Sequence, residues 1–574
     1  MPPGNVAVRQ AKGGVTVARP GHAYPQARVL ARDLVSTILG PLPPAASVRE
    51  ALARATRLDA MGFVLAEREG FAVLREDLRR AAALGLGDLP AMLIRRPLPV
   101  LDDAADELAV RRTLAGSAPL VLIRNGTTSA GAVVPRGRSF GHALGPSLTR
   151  RLTAALDRPA RRLLGRVASL AEGHGSRAFA VGGVVRDAVR GAPGRRPGDL
   201  DVVVEGDGLA VARLLAAETG GELVEHAPFL TASVRGPGER RVDIATARAE
   251  HYEAPGALPR VRPSTIGEDL KRRDFTVNAM AAELGSPAFL LVDPLGGRSD
   301  LRERRLRVLH PLSFVDDPTR LFRAARYAIR LGLTLDPWTA ECQRLAVDQA
   351  PFDALSGARL LAELKRVLDE ANAARALGML GAQGAFRLLD RGYRYTPSTG
   401  DRVQQLASTL TWIRAHTVPV TAVDVLVLVL LADQTPRVAA GALRRLGLGS
   451  SLAASLLAIV GRTDALPSDV RTASTRSAAG RALRGRASLE LAWLWLNGDA
   501  AVRRTVTRFV DRDAGVRPWL SGEEVIALGI PRGPGVARVL DELRDGRLDR
   551  TLAGRAAARR HVRRRASETR WTRA

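Results

Sequence analysis

The sequence predicts a multidomain chain, α/β in its first half and all-α in its second, and three observations carry that prediction. At 574 residues it exceeds what one hydrophobic core serves, so three or four domains are expected. Between residues 175 and 310, short β-rich runs alternate with helical ones. After Pro311 strand signals almost vanish, and Leu, Ala and Arg recur at three- and four-residue spacing.

Residues 1–43 form an extension punctuated by Pro and Gly. Its one helical pattern is "ARVLARDLVSTIL", with Val29, Leu30, Leu34 and Ile38 on one face. From 44 to 138 a βαββα pattern runs twice. Helix "SVREALARAT", strands "GFVLAE" and "GFAVLRE" and helix "DLRRAAALGL" are followed by "DAADELAVRRTLAG", "APLVLIRNG" and "SAGAVVP". This resembles a degenerate tandem CBS pair. The resemblance implies an adenosyl ligand, with Asp77 where such modules often place a ribose-binding carboxylate; the second copy ends in "VVPRGRSF" without one.

Residues 139–165 read as a linker and lead-in helix, and 166–310 as an α/β domain with strands in "RAFAVGG", "LDVVVEG", "GELVEHA", "TASVRG", "RRVDIAT" and "FLLVDP". Two helical regions follow, 311–385 and 386–574, with helices in "RLFRAARYAIRLGL", "ARLLAELKRVLDEA" and "AGALRRLGLG".

The formal net charge is +27, nearly all of it arginine, since Lys12, Lys271 and Lys365 are the only lysines. A GC-rich genome also enriches arginine and alanine, but that bias alone need not leave charge this unbalanced, so a polyanionic partner is expected. The tail "GRAAARRHVRRRASETRWTRA" suits a solvated or phosphate-bound helix better than a core. One cysteine, Cys342, excludes an internal disulfide framework and cysteine-based zinc clusters, and fits a reducing cytoplasm. The longest apolar run, Val425 to Ala432, falls far short of the ~20 residues that span a bilayer.

Chemistry concentrates in "FAVGGVVRDAVRGAPGRRPGDLDVVVEGDG". Asp199 and Asp201 enter a strand two residues apart, and alternation puts both carboxylates on one face. Such a pair can hold two Mg²⁺ ions, which is the chemistry of nucleotidyl transfer. Upstream, strand, Gly182-Gly183 turn and helix let backbone N–H groups approach a triphosphate, and Arg186 adds a cation. Asp243, on a later strand, is a candidate third carboxylate, with pairing to Arg240 or Arg241 as its alternative role.

These motifs resemble the class II tRNA nucleotidyltransferase and bacterial poly(A) polymerase family of the polymerase β superfamily. The resemblance is strong over about 175 to 385 and looser at "LSGEEVIALGIPRGPGVARVLDELRDG". It names the regions: nucleotidyltransferase head over 166–310, neck over 311–385, RNA-binding body and tail over 386–574. In "LKRRDFTVNAMA" it implies that Arg273 contacts the nucleotide and Asp274 the ribose 2′-hydroxyl; it matches "DPLGGRSDLRERRLRVL" to the hinge-like motif.

It also matches "DDPTRLFRAARYAIRLGL" to the base-reading motif. Asp317 and Arg320, three apart, are expected on one helix face. The carboxylate would accept from the amino group of cytosine or adenine while the guanidinium donates to the ring nitrogen; uracil and guanine present a carbonyl oxygen instead. Arg323 and Arg326 continue the spacing, but each step drifts about 60°, so they would support the pair, reach the phosphates or face solvent. The family has Glu-Asp where this chain has Asp316-Asp317.

The segment "ARAEHYEAPGALP" resembles a flexible loop present in enzymes that add the terminal A and missing from those adding only CC. The expected function is template-independent addition of CCA, or only its A, to tRNA 3′ ends, with Mg²⁺ as cofactor and ATP and CTP as substrates. The alternatives are a poly(A) polymerase and, from another class, a non-catalytic adenylate-sensing RNA-binding protein. His251 and His310 are expected to be structural.

Overall fold

A computed structural model describes residues 29–37, 39–115, 119–125, 128–133, 147–191, 199–236, 241–285, 289–462 and 466–568. Most of the 1–43 extension and part of the 139–165 linker lie outside these residues. The helix expected around Val29–Ile38 is a 3-10 turn of four residues, Ala31–Leu34; Ile38 lies outside the described set.

The N-terminal region holds two small sheets. Gly40–Pro41, Gly62–Val64, Phe71–Leu74 and Arg96–Pro97 form one, with helices Val48–Arg57 and Arg75–Ala83. Val100–Asp102, Val121–Asn125 and Thr128–Val133 form the other, with helix Glu107–Ala115. Ser47 starts the first helix as a capping box with Glu50, each side chain accepting from the other's backbone N–H. Asp77 is an interior residue. It is 2% exposed and takes two hydrogen bonds from Arg96, at 2.5 and 2.8 Å, so the proposed ribose carboxylate is spent inside the protein.

The first of these lobes does not close its own core. Leu78 and Ile94 belong to one apolar cluster with Phe275, Phe314, Phe322 and Leu360 of the following regions. Polar contacts reinforce the seam: Arg68 and Arg95 both reach Glu341, and the Trp338 indole donates to the Arg95 carbonyl at 2.8 Å.

The head is a seven-stranded sheet in the order 222–226, 231–235, 241–246, 199–205, 177–181, 281–284, 291–292. Strand 241–246 runs parallel to 199–205, which is antiparallel to 177–181. Alternation sends Leu200, Val202 and Val204 to a cluster with helices Arg158–Gly173 and Gly208–Thr219, while Val203 joins Phe179, Val181 and Ile266 in another. Two features depart from the sequence reading. Ala281–Leu284, within a motif-rich stretch, is a strand, and the segment read as a flexible loop is a hairpin of Arg248–His251 with Arg260–Pro263.

After residue 310 the described residues are helical apart from the two-residue strand Thr334–Leu335, which pairs in parallel with Arg305–Leu306. Thr319–Leu331, Gly357–Leu368 and Pro436–Leu446 realise the three patterned helices. A separate cluster of Leu520, Val525, Val539, Leu543 and Val562 holds the C-terminal helices. Among the described residues no helix is long and apolar enough to cross a membrane.

Candidate active site

A cleft of about 570 Å³ opens where the head sheet meets the helix Thr319–Leu331. Gly182, Gly183, Arg186, Asp201, Arg273, Asp274, Asp317, Arg320 and Arg323 all line it, so motifs scattered over more than a hundred residues of sequence meet in one place.

The sheet supplies one wall. Asp199 and Asp201 lie on the outward face of their strand, while Leu200 between them is buried. Among the described residues neither carboxylate has a hydrogen-bond partner, whereas Asp243, level with Asp201 on the adjacent strand, accepts from Ser233 Oγ at 2.5 Å and Arg241 Nε at 2.7 Å. Both of these bonds land on Oδ1 of Asp243. Desolvation of Asp201 in the cleft, opposed by Arg273 and reinforced by Asp243 and Asp199, pushes its carboxyl above the usual range. Such a crowd of oxygens suits a hard cation. No group of three or more His, Cys, Asp or Glu residues converges as a metal cage among the described residues.

The glycine turn fits against this wall. Gly182 has φ +71°, which side chains rarely adopt, and a Cβ there would sit 3.1 Å from Asp201 Oδ2. From it the helix Gly183–Arg190 directs its N-terminus toward the cleft. Arg186 is nearly buried, bonded to Asp187 and to Asn278 Oδ1 at 2.9 Å, and lies over the Tyr327 ring.

The opposite wall is a lattice of paired charges. Arg273 bonds Asp269 at 3.0 Å. Asp274 accepts from the Phe275 backbone N–H, from Asn278 Nδ2 at 3.0 Å and from Arg323, whose Nη2 is 2.6 Å away. Burial alone would raise its carboxyl, but Arg323 and Asn278 hold it below the usual range. Beneath this turn Gly297 packs so closely that a Cβ would stand 2.2 Å from the Thr276 carbonyl oxygen, which places the hinge-like motif under the Asp274 segment.

Asp317 and Arg320 both reach the cleft, but not as neighbours on a helix face. Asp317 ends the short helix Ser313–Asp316 with φ −138° and ψ 99°, and Pro318 caps the next helix. The cause is Pro318 itself, which disfavours helical geometry in the residue before it. The Asp317 carboxylate accepts from Thr319 N and Oγ1, at 3.0 and 2.7 Å, and from Arg359 Nη2 at 2.8 Å. All three bonds fall on Oδ1, leaving Oδ2 to accept from a ligand. Arg320, 5% exposed, donates to Ser313 Oγ at 2.7 Å and to the Arg272 carbonyl at 2.8 Å. Its direct partners are therefore neutral.

Arg326 is excluded from the site. It bonds Glu370 at 2.9 Å and Glu363 at 3.4 Å and does not line the cleft, as the helical drift requires. The important residue missed in the sequence is Arg359, which joins Asp317 to the Gly256 carbonyl, 2.6 Å from its Nη1. No pattern in "LSGARLLAEL" signals this. Only the fold brings position 359 to 317.

The comparisons fit this geometry. Residues 178–307 match the model of the poly(A) polymerase head domain. The chain is 34% identical over 398 residues to an A-adding tRNA nucleotidyltransferase of Geobacter sulfurreducens, covering 66% of this chain and 44% of that protein. It is 46% identical over 196 residues to the A-adding enzyme of Halalkalibacterium halodurans, covering 33% and 45% respectively. The chain thus spans under half the length of these curated relatives. Among solved structures, the Thermotoga maritima CCA-adding enzyme in complex with tRNA superposes with a TM-score of 0.61 at 27% identity, over 73% of this chain and 98% of that one. With its head motifs gathered in one cleft, the chain carries a head region similar to those of the tRNA nucleotidyltransferases and poly(A) polymerases.

Proposed function

We propose that this chain adds CCA, or its terminal A, to tRNA 3′ ends without a nucleic-acid template. The observation that carries the reading is the shared cleft: the Asp201 carboxylate on one wall, without a hydrogen-bond partner among the described residues, a positive-φ glycine turn beside it, and Asp317 with Arg320 across from both.

Asp199 and Asp201 would hold Mg²⁺, which when bound lowers the pKa of the attacking 3′-hydroxyl and neutralises the departing pyrophosphate. The chain's own residues prepare the rest. The Gly182-Gly183 backbone and the helix N-terminus receive the triphosphate, and Arg273 and Arg186 add positive charge. Asp274, fixed by Arg323, accepts from the ribose 2′-hydroxyl. Asp317 Oδ2 accepts from the exocyclic amino group of C or A, and Arg320 donates to the adjacent ring nitrogen. The oxygen of the tRNA terminal ribose then attacks the α-phosphorus as the bond to pyrophosphate breaks.

The arginine-rich body and tail would grip tRNA by its phosphates, as the net charge of +27 suggests. We read 44–138 as a degenerate CBS-like pair whose role is structural; support comes from the βαββα order of its first copy, and the buried Asp77–Arg96 pair removes the carboxylate on which an adenosyl ligand would depend. The test of the functional reading is incubation with tRNAs ending at the discriminator base, at C and at CC, each NTP in turn. Addition of C to the first two and A to the third marks a CCA-adding enzyme; A on the third alone marks an A-adding one. Tails from ATP on unrelated RNA at equal rate would overturn the tRNA assignment.

A further inference from the structure

The N-terminal region touches the base-reading segment through one side chain. Arg80, on the helix Arg75–Ala83, extends Nη1 to within 2.7 Å of Asp316 Oδ2 and 2.9 Å of His310 Nε2. Asp316, beside Asp317 in sequence, is 1% exposed. Its other oxygen, Oδ1, is buried with no hydrogen-bond partner among the described residues. Arg80 is also reachable from outside, where a cavity of about 220 Å³ lies between it and Glu250, His251 and Tyr252 of the head hairpin.

We infer that Arg80 is a positioning residue for nucleotide selection: by neutralising Asp316 it keeps Arg320 free for the base. Burial pushes the Asp316 carboxyl up, and Arg80 first and Arg320 second oppose it, so Arg320 lies within electrostatic reach of this carboxylate. In the folded chain the two make no direct ion pair, because Asp316 takes its direct contact from Arg80 and Arg320 keeps only neutral partners. His310, 3.4 Å from Asp316 Oδ2, does not share this role while Arg80 is in place. Burial, Arg80 and Arg320 hold its imidazole well below its usual pKa, so it is neutral. Glu250 adds negative charge nearby, which raises the need for a cation at this point. Without Arg80, Arg320 is the remaining arginine whose charge acts on the buried carboxylate, and its guanidinium is drawn from the cleft.

This inference rests on the proposed function, and the assay separates the two: a parent chain that incorporates no nucleotide onto any tRNA fails the function itself. Single-turnover incorporation of ATP and GTP onto tRNA ending in CC is measured for the parent, Arg80→Met, Arg80→Lys and the double variant Arg80→Met/Asp316→Asn, all as full chains with melting temperatures recorded. Arg80→Met is expected to lose roughly tenfold in ATP-over-GTP preference, mainly through weaker ATP binding. Arg80→Lys, which keeps the charge, and the double variant, which removes the carboxylate that Arg80 neutralises, are expected to recover it to within about threefold. Parent-like preference in Arg80→Met, or a double variant as unselective as Arg80→Met, overturns the proposal. Should Arg80→Met not fold, Arg80→Gln replaces it and the same two outcomes decide.

Discussion

The two walls of the cleft are built on opposite principles. On the sheet side Asp201, which lines the cleft, and Asp199, on the same strand face but outside the lining, have no hydrogen-bond partner among the described residues, and Asp201 is crowded by two further carboxylates. On the helical side each charged group has a fixed partner: Asp274 has Arg323, Asp317 has Arg359, Arg273 has Asp269. The first arrangement is costly without a cation, which is why the proposed function puts a metal there. The second has its geometry set before a nucleotide arrives, which is what discrimination between similar bases requires. On the proposed function, this difference assigns rate and selectivity to separate walls.

Substitutions can break that division, beginning with the largest expected effect. Asp199→Ala or Asp201→Ala should reduce incorporation of every NTP at least roughly a thousandfold while tRNA affinity, measured by filter binding, stays nearly unchanged. Asp317→Ala should act on choice. C and A lose a charge-assisted hydrogen bond worth ~1.5–3 kcal/mol, and uracil and guanine lose the repulsion from its carboxylate. Selectivity collapses more than total activity, as competition between ATP and UTP would show.

Arg359→Met should give a smaller loss of the same kind, roughly three- to tenfold, since Thr319 still holds Asp317 but the link to Gly256 is gone. Steady-state selectivity with the four NTPs checks it. Arg326→Met sharpens the comparison from outside the cleft. Stability should fall by about 1–3 kcal/mol in denaturant unfolding, with base preference intact.

The smallest effect concerns pH. Asp274 has a depressed carboxyl in the fold, so its stabilising contribution is complete above the unfolded Asp range and is lost as pH falls through the folded value. Thermal melts from neutral to acid pH should therefore show a shallower acid loss for Asp274→Asn than for the parent. An identical slope would mean that Arg323 and Asp274 contribute no net stabilisation.

Much of the sheet wall was legible in the sequence because its signals are local. A period of two puts Asp199 and Asp201 on one face, and a glycine pair between strand and helix marks a close backbone approach. The helical wall was legible only in part. Asp317 and Arg320 were found, but the spacing rule gave them a shared helix that Pro318 forbids, and Arg326 was carried along by a repeat whose angular drift turns it toward Glu363 and Glu370. Arg359 and Arg80 were invisible because their partners lie 42 and 236 residues away, and nothing in their neighbouring sequence records such contacts. The hairpin at 248–263 was hidden for a related reason: its charged strands lack the apolar alternation that marks a half-buried strand.

The division of labour is tested most directly by single-turnover incorporation of ATP and GTP onto tRNA ending in CC, with Asp201→Ala and Asp317→Ala assayed side by side against the parent. The account predicts that Asp201→Ala loses incorporation of both nucleotides, while Asp317→Ala keeps substantial incorporation and loses the preference for ATP. Substantial Mg²⁺-dependent activity in Asp201→Ala, or a preference for ATP in Asp317→Ala as strong as the parent's, would contradict it.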